Sequence, residues 1–193
     1  MKNLIYLFIP LMLFLSCENE QSNCLTYVPD DAFEQYLIEN GYDDSLDNYI
    51  TTKNIVEITE INMFGIGVES LTGIEAFEAL ERLYISSNNL TVLDLSNNNQ
   101  LKILACSNNN LYHIDISNSP ELTALACGYN NLTKLDISNN TQLVELYAPY
   151  NSIECIQVWD VNYALEQQEN ENSDCFYSNC FVIDENVEWN LEC

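Results

Sequence analysis

From Leu80 onward, apolar residues return with a fixed period of 21 positions, marked by Leu80, Leu101, Leu122 and Leu143. The fourth position of each period is Leu83, Leu104, Leu125 and Leu146, and the sixth is Ile85, Cys106, Cys127 and Ala148. These columns alternate with outward positions at period 2, the pattern of a strand with one buried face. Leu90, Leu111, Leu132 and Ile153 form a further column, followed by Leu93, Ile114, Leu135 and Ile156, and then Leu95, Ile116, Ile137 and Val158. Between strand and later columns stands Asn88, Asn109, Asn130 or Asn151. An amide there offers donors and an acceptor, so a stack of asparagines can satisfy backbone groups released where the strand turns into the interior.

Self-similarity at this period implies a solenoid, in which each unit buries its apolar face only against its neighbours. The motif L-x-x-L-x-apolar-x-x-N-x-L-x-x-L-D-L-S resembles the leucine-rich-repeat family over residues 58–163. The resemblance implies an α/β leucine-rich-repeat solenoid with a parallel sheet of one strand per coil. About ten residues remain for the convex side of each coil, too few for a full helix, so extended or turn-like segments are expected there. A divergent first coil runs through Ile58, Ile61, Met63, Val68 and Leu71, with Gly65, Gly67 and Gly73 in place of the asparagine logic. Its Leu71-Thr72-Gly73-Ile74 resembles bacterial internalin-type repeats.

Solenoid ends need caps. Residues 28–57 form the expected N-terminal cap, with a helix on which Phe33 and Leu37 share a face and Asn40-Gly41 make the stop. Asp31 and Glu34 have capping-box spacing, with Asp in place of Ser or Thr. Val28 to Glu34 and the Gly41-Tyr42-Asp43 segment resemble the cap of surface leucine-rich proteins of Bacteroidetes. Residues 164–193 are the expected C-terminal cap.

Ahead of the caps, Leu4 to Leu15 is a nearly unbroken apolar run of 12 residues, followed by Ser16 and Cys17. About 20 apolar residues are needed to cross a bilayer, so residues 1–16 read as a signal peptide. Ser16-Cys17 resembles a bacterial lipobox, which implies acylation of Cys17 and a membrane attachment through lipid, followed by an acidic tether over residues 17–27. An ordinary cleaved secretory signal is the competing reading. Glu18-Asn19-Glu20 resembles the acidic export signal of some Bacteroidetes lipoproteins, implying an outer-membrane protein on the cell surface.

Beyond the signal, Lys53, Arg82, Lys102 and Lys134 stand against 30 acidic residues. Such a surface repels phosphates and disfavours nucleic acid or anionic lipid as a docking partner. No D-x-D-x-D-G loop accompanies the acidity. Asp94, Asp115 and Asp136 form a column that reads as local hydrogen bonding at a repeated bend, with calcium binding as the alternative.

Cys106 and Cys127 share a core column on adjacent coils, where parallel side-chain vectors predict buried thiols rather than a disulfide. Cys155, Cys175, Cys180 and Cys193 crowd the end of an exported chain, and disulfides are expected to staple that cap. Cys155 with Cys180 is the favoured pairing, while Cys24 has no evident partner.

Catalytic constellations are missing from the sequence. The single histidine, His113, falls on the expected convex side with no nucleophile marked beside it, so neither an enzyme nor a cofactor is expected. Function is sought on the exposed sheet face instead. Its outward positions include Arg82, Tyr84, Tyr129, Tyr147 and Tyr150, interspersed with small residues such as Ala105, Ser107, Ala126 and Gly128. Tyrosine offers large rigid area at low entropic cost, which suits a ligand-binding face. The expectation is an envelope-anchored binding or adhesion lipoprotein presenting this face to a protein or glycan. A structural scaffold or spacer without a ligand of its own is the alternative.

Overall fold

The computed structural model describes residues 24–169 and 180–193, with only the backbone of Glu169 and Cys180. The signal peptide, Cys17 and Cys175 lie outside the described residues.

In the N-terminal cap, β1 (Leu25–Tyr27) pairs antiparallel with β2 (Tyr49–Thr51), and α1 (Asp31–Glu39) lies between them in the chain. Residues 25–27, at the end of the expected tether, are thereby drawn into the cap. The cap of α1 is Asp30, not Asp31: its Oδ1 accepts from the Phe33 amide at 2.9 Å. The second oxygen of Asp30 accepts from the amides of Glu69 and Ser70 at 2.8 and 2.9 Å, so one carboxylate joins the helix to the first coil. Glu34 does not complete a capping box, because it is buried and its Oε1 accepts from the Asp47 amide. At the other end Gly41 takes φ 77°, and the amides of Gly41 and Tyr42 reach the carbonyls of Ile38 and Leu37. This is a Schellman stop, which requires a left-handed residue that glycine supplies without a Cβ penalty.

The repeats then contribute β3 (Glu60–Asn62), β4 (Arg82–Tyr84), β5 (Ile103–Ala105) and β6 (Ala124–Ala126) to one parallel sheet. After β7 (Leu135–Asp136) on the opposite side, β8 (Glu145–Tyr147) extends that sheet, and β9 (Cys155–Gln157) follows. The chain continues through α2 (Val161–Glu169), β10 (Cys180–Val182) and β11 (Glu188–Asn190). The large sheet has six strands in the order β10-β8-β6-β5-β4-β3, so the expected parallel sheet with one strand per coil is present. Its register places Leu83 beside Leu104, Leu104 beside Leu125 and Leu125 beside Leu146. The last coil enters with Phe181 beside Leu146, which extends the sheet into the segment expected to act as a cap.

The convex side is turn-like with short strands. Asp94 bridges Asp115, while β7, β9 and β11 form a three-stranded parallel sheet. Between the two sheets the apolar columns close into one core, from Val28 and Phe33 in the cap to Phe181 and Ile183 in the last coil. The asparagine stack works as expected. Asn109 Nδ2 donates to the carbonyls of Ile85 and Cys106 at 3.0 Å, and its Oδ1 accepts from the Leu90 amide. Asn130 and Asn151 repeat this arrangement one and two coils further on.

A second ladder is not marked by the repeat motif. Asn98 and Asn140 are fully buried, and Asn98 Nδ2 donates to the carbonyls of Ile74 and Phe77 while Asn140 Nδ2 donates to those of Ile116 and Ser119.

The cysteine pairing differs from expectation. Cys155 is bonded to Cys193, with Cα atoms 6.1 Å apart, and not to Cys180. The reason is topological: Cys180 begins a strand of the large sheet beside Glu145, whereas Cys155 lies on the convex sheet with Glu188 as its neighbour. Among the described residues, the cysteine that returns to that side is Cys193, after β11. Cys24 is also disulfide-bonded, which corrects the expectation that it lacks a partner. Cys106 and Cys127 are buried free thiols, as expected.

Candidate functional site

The large sheet turns its outward side chains to solvent along β3, β4, β5, β6 and β8. Strand pairing aligns Tyr84, Ala105, Ala126 and Tyr147 in one row, so two tyrosines flank a floor of small residues across roughly 15 Å. In the adjacent row Arg82, Ile103, Ala124 and Glu145 are aligned.

Arg82 is not available as an unpaired cation. Its Nε donates to Glu60 Oε2 at 2.7 Å and its Nη1 to Glu81 at 3.3 Å, while Lys102 Nζ meets Glu81 at 2.8 Å. The carboxylate of Glu81 is held below its ordinary value, first by the hydrogen bond from Lys102, and Glu60 raises Arg82 further. Toward the opposite end of the face, on β8 with β10 as its outer neighbour, Glu145 is exposed and has no ion pair among the described residues.

Beyond each strand the chain turns through a residue of positive φ: Ser87 at 62°, Asn108 at 56°, Tyr129 at 54° and Tyr150 at 59°. Amides there bond to the next coil, Ser87 to Ser107, Asn108 to Gly128 and Tyr129 to Pro149, and Tyr150 ends the series on Asp184 Oδ1 at 3.0 Å. Left-handed backbone costs an ordinary L-residue about 1–2 kcal/mol, less for asparagine, so tyrosine is an expensive occupant of this position. Both tyrosines nevertheless project outward, with relative exposures of 43% and 61%, and their rings stack at 4.2 Å between centroids. Their contact raises the Tyr150 hydroxyl above its ordinary value.

Tyr147 joins this pair through Gly128. A Cβ at Gly128 would lie 2.7 Å from Tyr147 Cε1 and 3.0 Å from the Pro149 carbonyl oxygen, so the missing side chain leaves room for that ring over the neighbouring coil. Tyr147, lying over Gly128, thus neighbours the Tyr129–Tyr150 stack in the C-terminal half of the face, while Tyr84 stands apart, half-buried, at the other end. Ser107, Gly128 and Pro149, counted among the outward positions by the sequence pattern, are buried. Phe64 and Ile66 are exposed additions that the pattern missed. They belong to the first coil, whose Ile61 aligns with Leu83 at a spacing of 22 rather than 21 residues.

Other candidates resolve differently. Trp159 and Tyr163, further aromatic side chains near the end of the repeats, pack in a chain of rings with Phe181 and Trp189 that fixes α2 to the last coil. His113 is exposed on the convex side, beside Asp115, Lys134 and Asp136 in a cleft of about 410 Å³. Each aspartate of the bend column accepts from the amide two residues on, Asp94 from Ser96, Asp115 from Ser117 and Asp136 from Ser138. Hydrogen bonds from Ser96 and Ser117 hold Asp94 and Asp115 below the ordinary carboxylate value. Among the described residues no group of three histidine, cysteine or acidic side chains could hold a metal ion.

No protein-family model and no curated protein matches this sequence. Solved structures do. The functional domain of InlJ from Listeria monocytogenes, which includes a cysteine ladder, is 25% identical with a TM-score of 0.58, over 72% of this chain and 39% of that one. The internalin InlF from the same organism is 20% identical with a TM-score of 0.59, over 84% of this chain and 51% of its own. This chain thus spans about two fifths to one half of the length of those structures. With its parallel one-strand coils, asparagine stack and likeness to these solenoids, the chain folds as a leucine-rich-repeat solenoid similar to those of the internalins.

Proposed function

We propose that this protein is an envelope-anchored, surface-exposed binding lipoprotein that captures a protein ligand on the outward face of its large sheet. An internalin-like leucine-rich-repeat fold suggests protein binding or adhesion. The observation that carries the reading is the Tyr129–Tyr150 stack, because both rings are exposed on left-handed backbone that a cheaper residue could occupy. Strain kept at an exposed position points to a role other than stability. Attachment through Cys17 is supported by the lipobox resemblance, and no described helix is long and apolar enough to cross a membrane.

The test is replacement of Tyr129, Tyr147 and Tyr150 together with serine. Capture of partner protein from a host or neighbour-cell surface should be lost while the circular dichroism spectrum is retained. Unchanged capture would reject the face as the binding site, and failure of the parent protein itself to capture any partner would favour the scaffold reading. Mass spectrometry of the mature N-terminus tests the anchor separately: a lipid-modified Cys17 is expected.

A further inference from the structure

We infer that the occupant of this face is a cationic protein segment whose arginine guanidinium lies over the Tyr129–Tyr150 stack and pairs with Glu145. The inference deepens the binding role proposed above and rests on it. The two ends of the face differ in charge. At the N-terminal end the carboxylates of Glu60 and Glu81 are already matched by Arg82 and Lys102. Toward the C-terminal end the side-chain carboxylate of Glu145 has no hydrogen bond or ion pair among the described residues, and it stands two residues before Tyr147 on the same side of β8. Tyr147 in turn lies against Gly128, next to Tyr129. An uncompensated carboxylate therefore borders a flat aromatic surface, with no basic side chain on that half of the face to answer it.

Arginine fits this combination better than other groups. Its planar guanidinium stacks on aromatic faces while its N–H groups engage a carboxylate, whereas lysine offers a strongly hydrated point charge. The whole protein carries a formal net charge of −25, so a basic partner is also favoured during approach and an acidic one is opposed. The span of roughly 15 Å accommodates a short extended segment or loop, about four or five residues long.

A fluorescent peptide of alternating arginine and glycine, about five residues long to span the face, is the probe, with its citrulline counterpart as the neutral control. Fluorescence anisotropy on the full mature protein should show saturable binding of the arginine peptide. Glu145→Gln and Tyr150→Ser should each weaken it about three- to tenfold, the range of a partly desolvated cation on an aromatic ring. Tyr150→Phe, which keeps the ring, should bind as the parent does. Asp31→Asn removes one exposed charge from the cap and should leave affinity unchanged.

An equal loss in Asp31→Asn and Glu145→Gln would overturn the inference in favour of diffuse attraction. Equal binding of the citrulline peptide would overturn it too. If a neutral oligosaccharide binds and Tyr150→Ser abolishes that, the face is a binding site but its occupant is not cationic. If neither probe responds to the tyrosine substitutions, the inference and the binding role fall together.

Discussion

The rings of Tyr129 and Tyr150 stack 4.2 Å apart although each residue sits at a positive φ that bulky side chains avoid. Two opposing terms therefore meet at one place. Left-handed backbone costs about 1–2 kcal/mol per residue, and an aromatic pair returns about 0.5–1.5 kcal/mol beyond its buried area. Replacing either tyrosine with asparagine, which Asn108 shows to be compatible with the turn, relieves strain and loses stacking. Denaturant titration should give a stability within about 1 kcal/mol of the parent. A loss beyond about 3 kcal/mol, the range for a buried aromatic, would mean the rings serve the core instead.

Asn109 should behave in the opposite way. Its side chain joins carbonyls of two coils to the Leu90 amide, so Asn109→Ala leaves buried backbone groups without partners. The expected cost is about 1–3 kcal/mol. Exposed Asn97→Ala is the control, and both are read by urea denaturation.

Burial pushes the Cys127 thiol up to about 12 and raises Cys106 well above its ordinary value. The reactive species is the thiolate, so iodoacetamide at neutral pH should leave both unmodified in the folded protein. Peptide mass mapping should find them alkylated only after unfolding. Modification of the native protein at the rate of an exposed thiol would contradict the inward assignment of that column.

Acid should loosen the convex bends. Asp94 and Asp115 have folded values below their ordinary 3.8, because hydrogen bonds from Ser96 and Ser117 favour the charged carboxylates. Their contribution is present in full above pH 3.8 and is lost as pH falls through the lower folded values. Asparagine at both positions can still accept the amide bond but cannot titrate. The double variant should therefore show a shallower fall in melting temperature below pH 3.8 than the parent, and parallel curves would reject the assignment.

Legibility of this fold in the sequence follows the repetition of chemistry. The Leu83 column and the Asn109 stack recur as the same residue type, so a single chain displays them several times over. The left-handed turn also recurs in four successive coils, but Ser87, Asn108, Tyr129 and Tyr150 share no side-chain property, and nothing local signals it. Asn98 and Asn140 escaped notice because the intervening coil places Ser119 there. Phe64 was hidden by a one-residue change of spacing, since a pattern fitted at 21 residues slips out of phase in the first coil. The Cys155–Cys193 pairing needed knowledge of which sheet each cysteine enters, a property of three-dimensional path rather than of spacing. For the candidate face the tyrosines could be read from alternation, whereas the neutralisation of Arg82 by Glu60 depends on the register between β3 and β4.

Asp30 sets the boundary condition of this one-dimensional array. In a stack where each coil is stabilised by its neighbours, the first coil would lack one neighbour and fray. By accepting from Phe33 in the cap and from Glu69 and Ser70 in that coil, a single carboxylate makes helix and coil one cooperative block. Thermal opening that starts at the N-terminal end must then release both at once, so the stack has no separately detachable first unit.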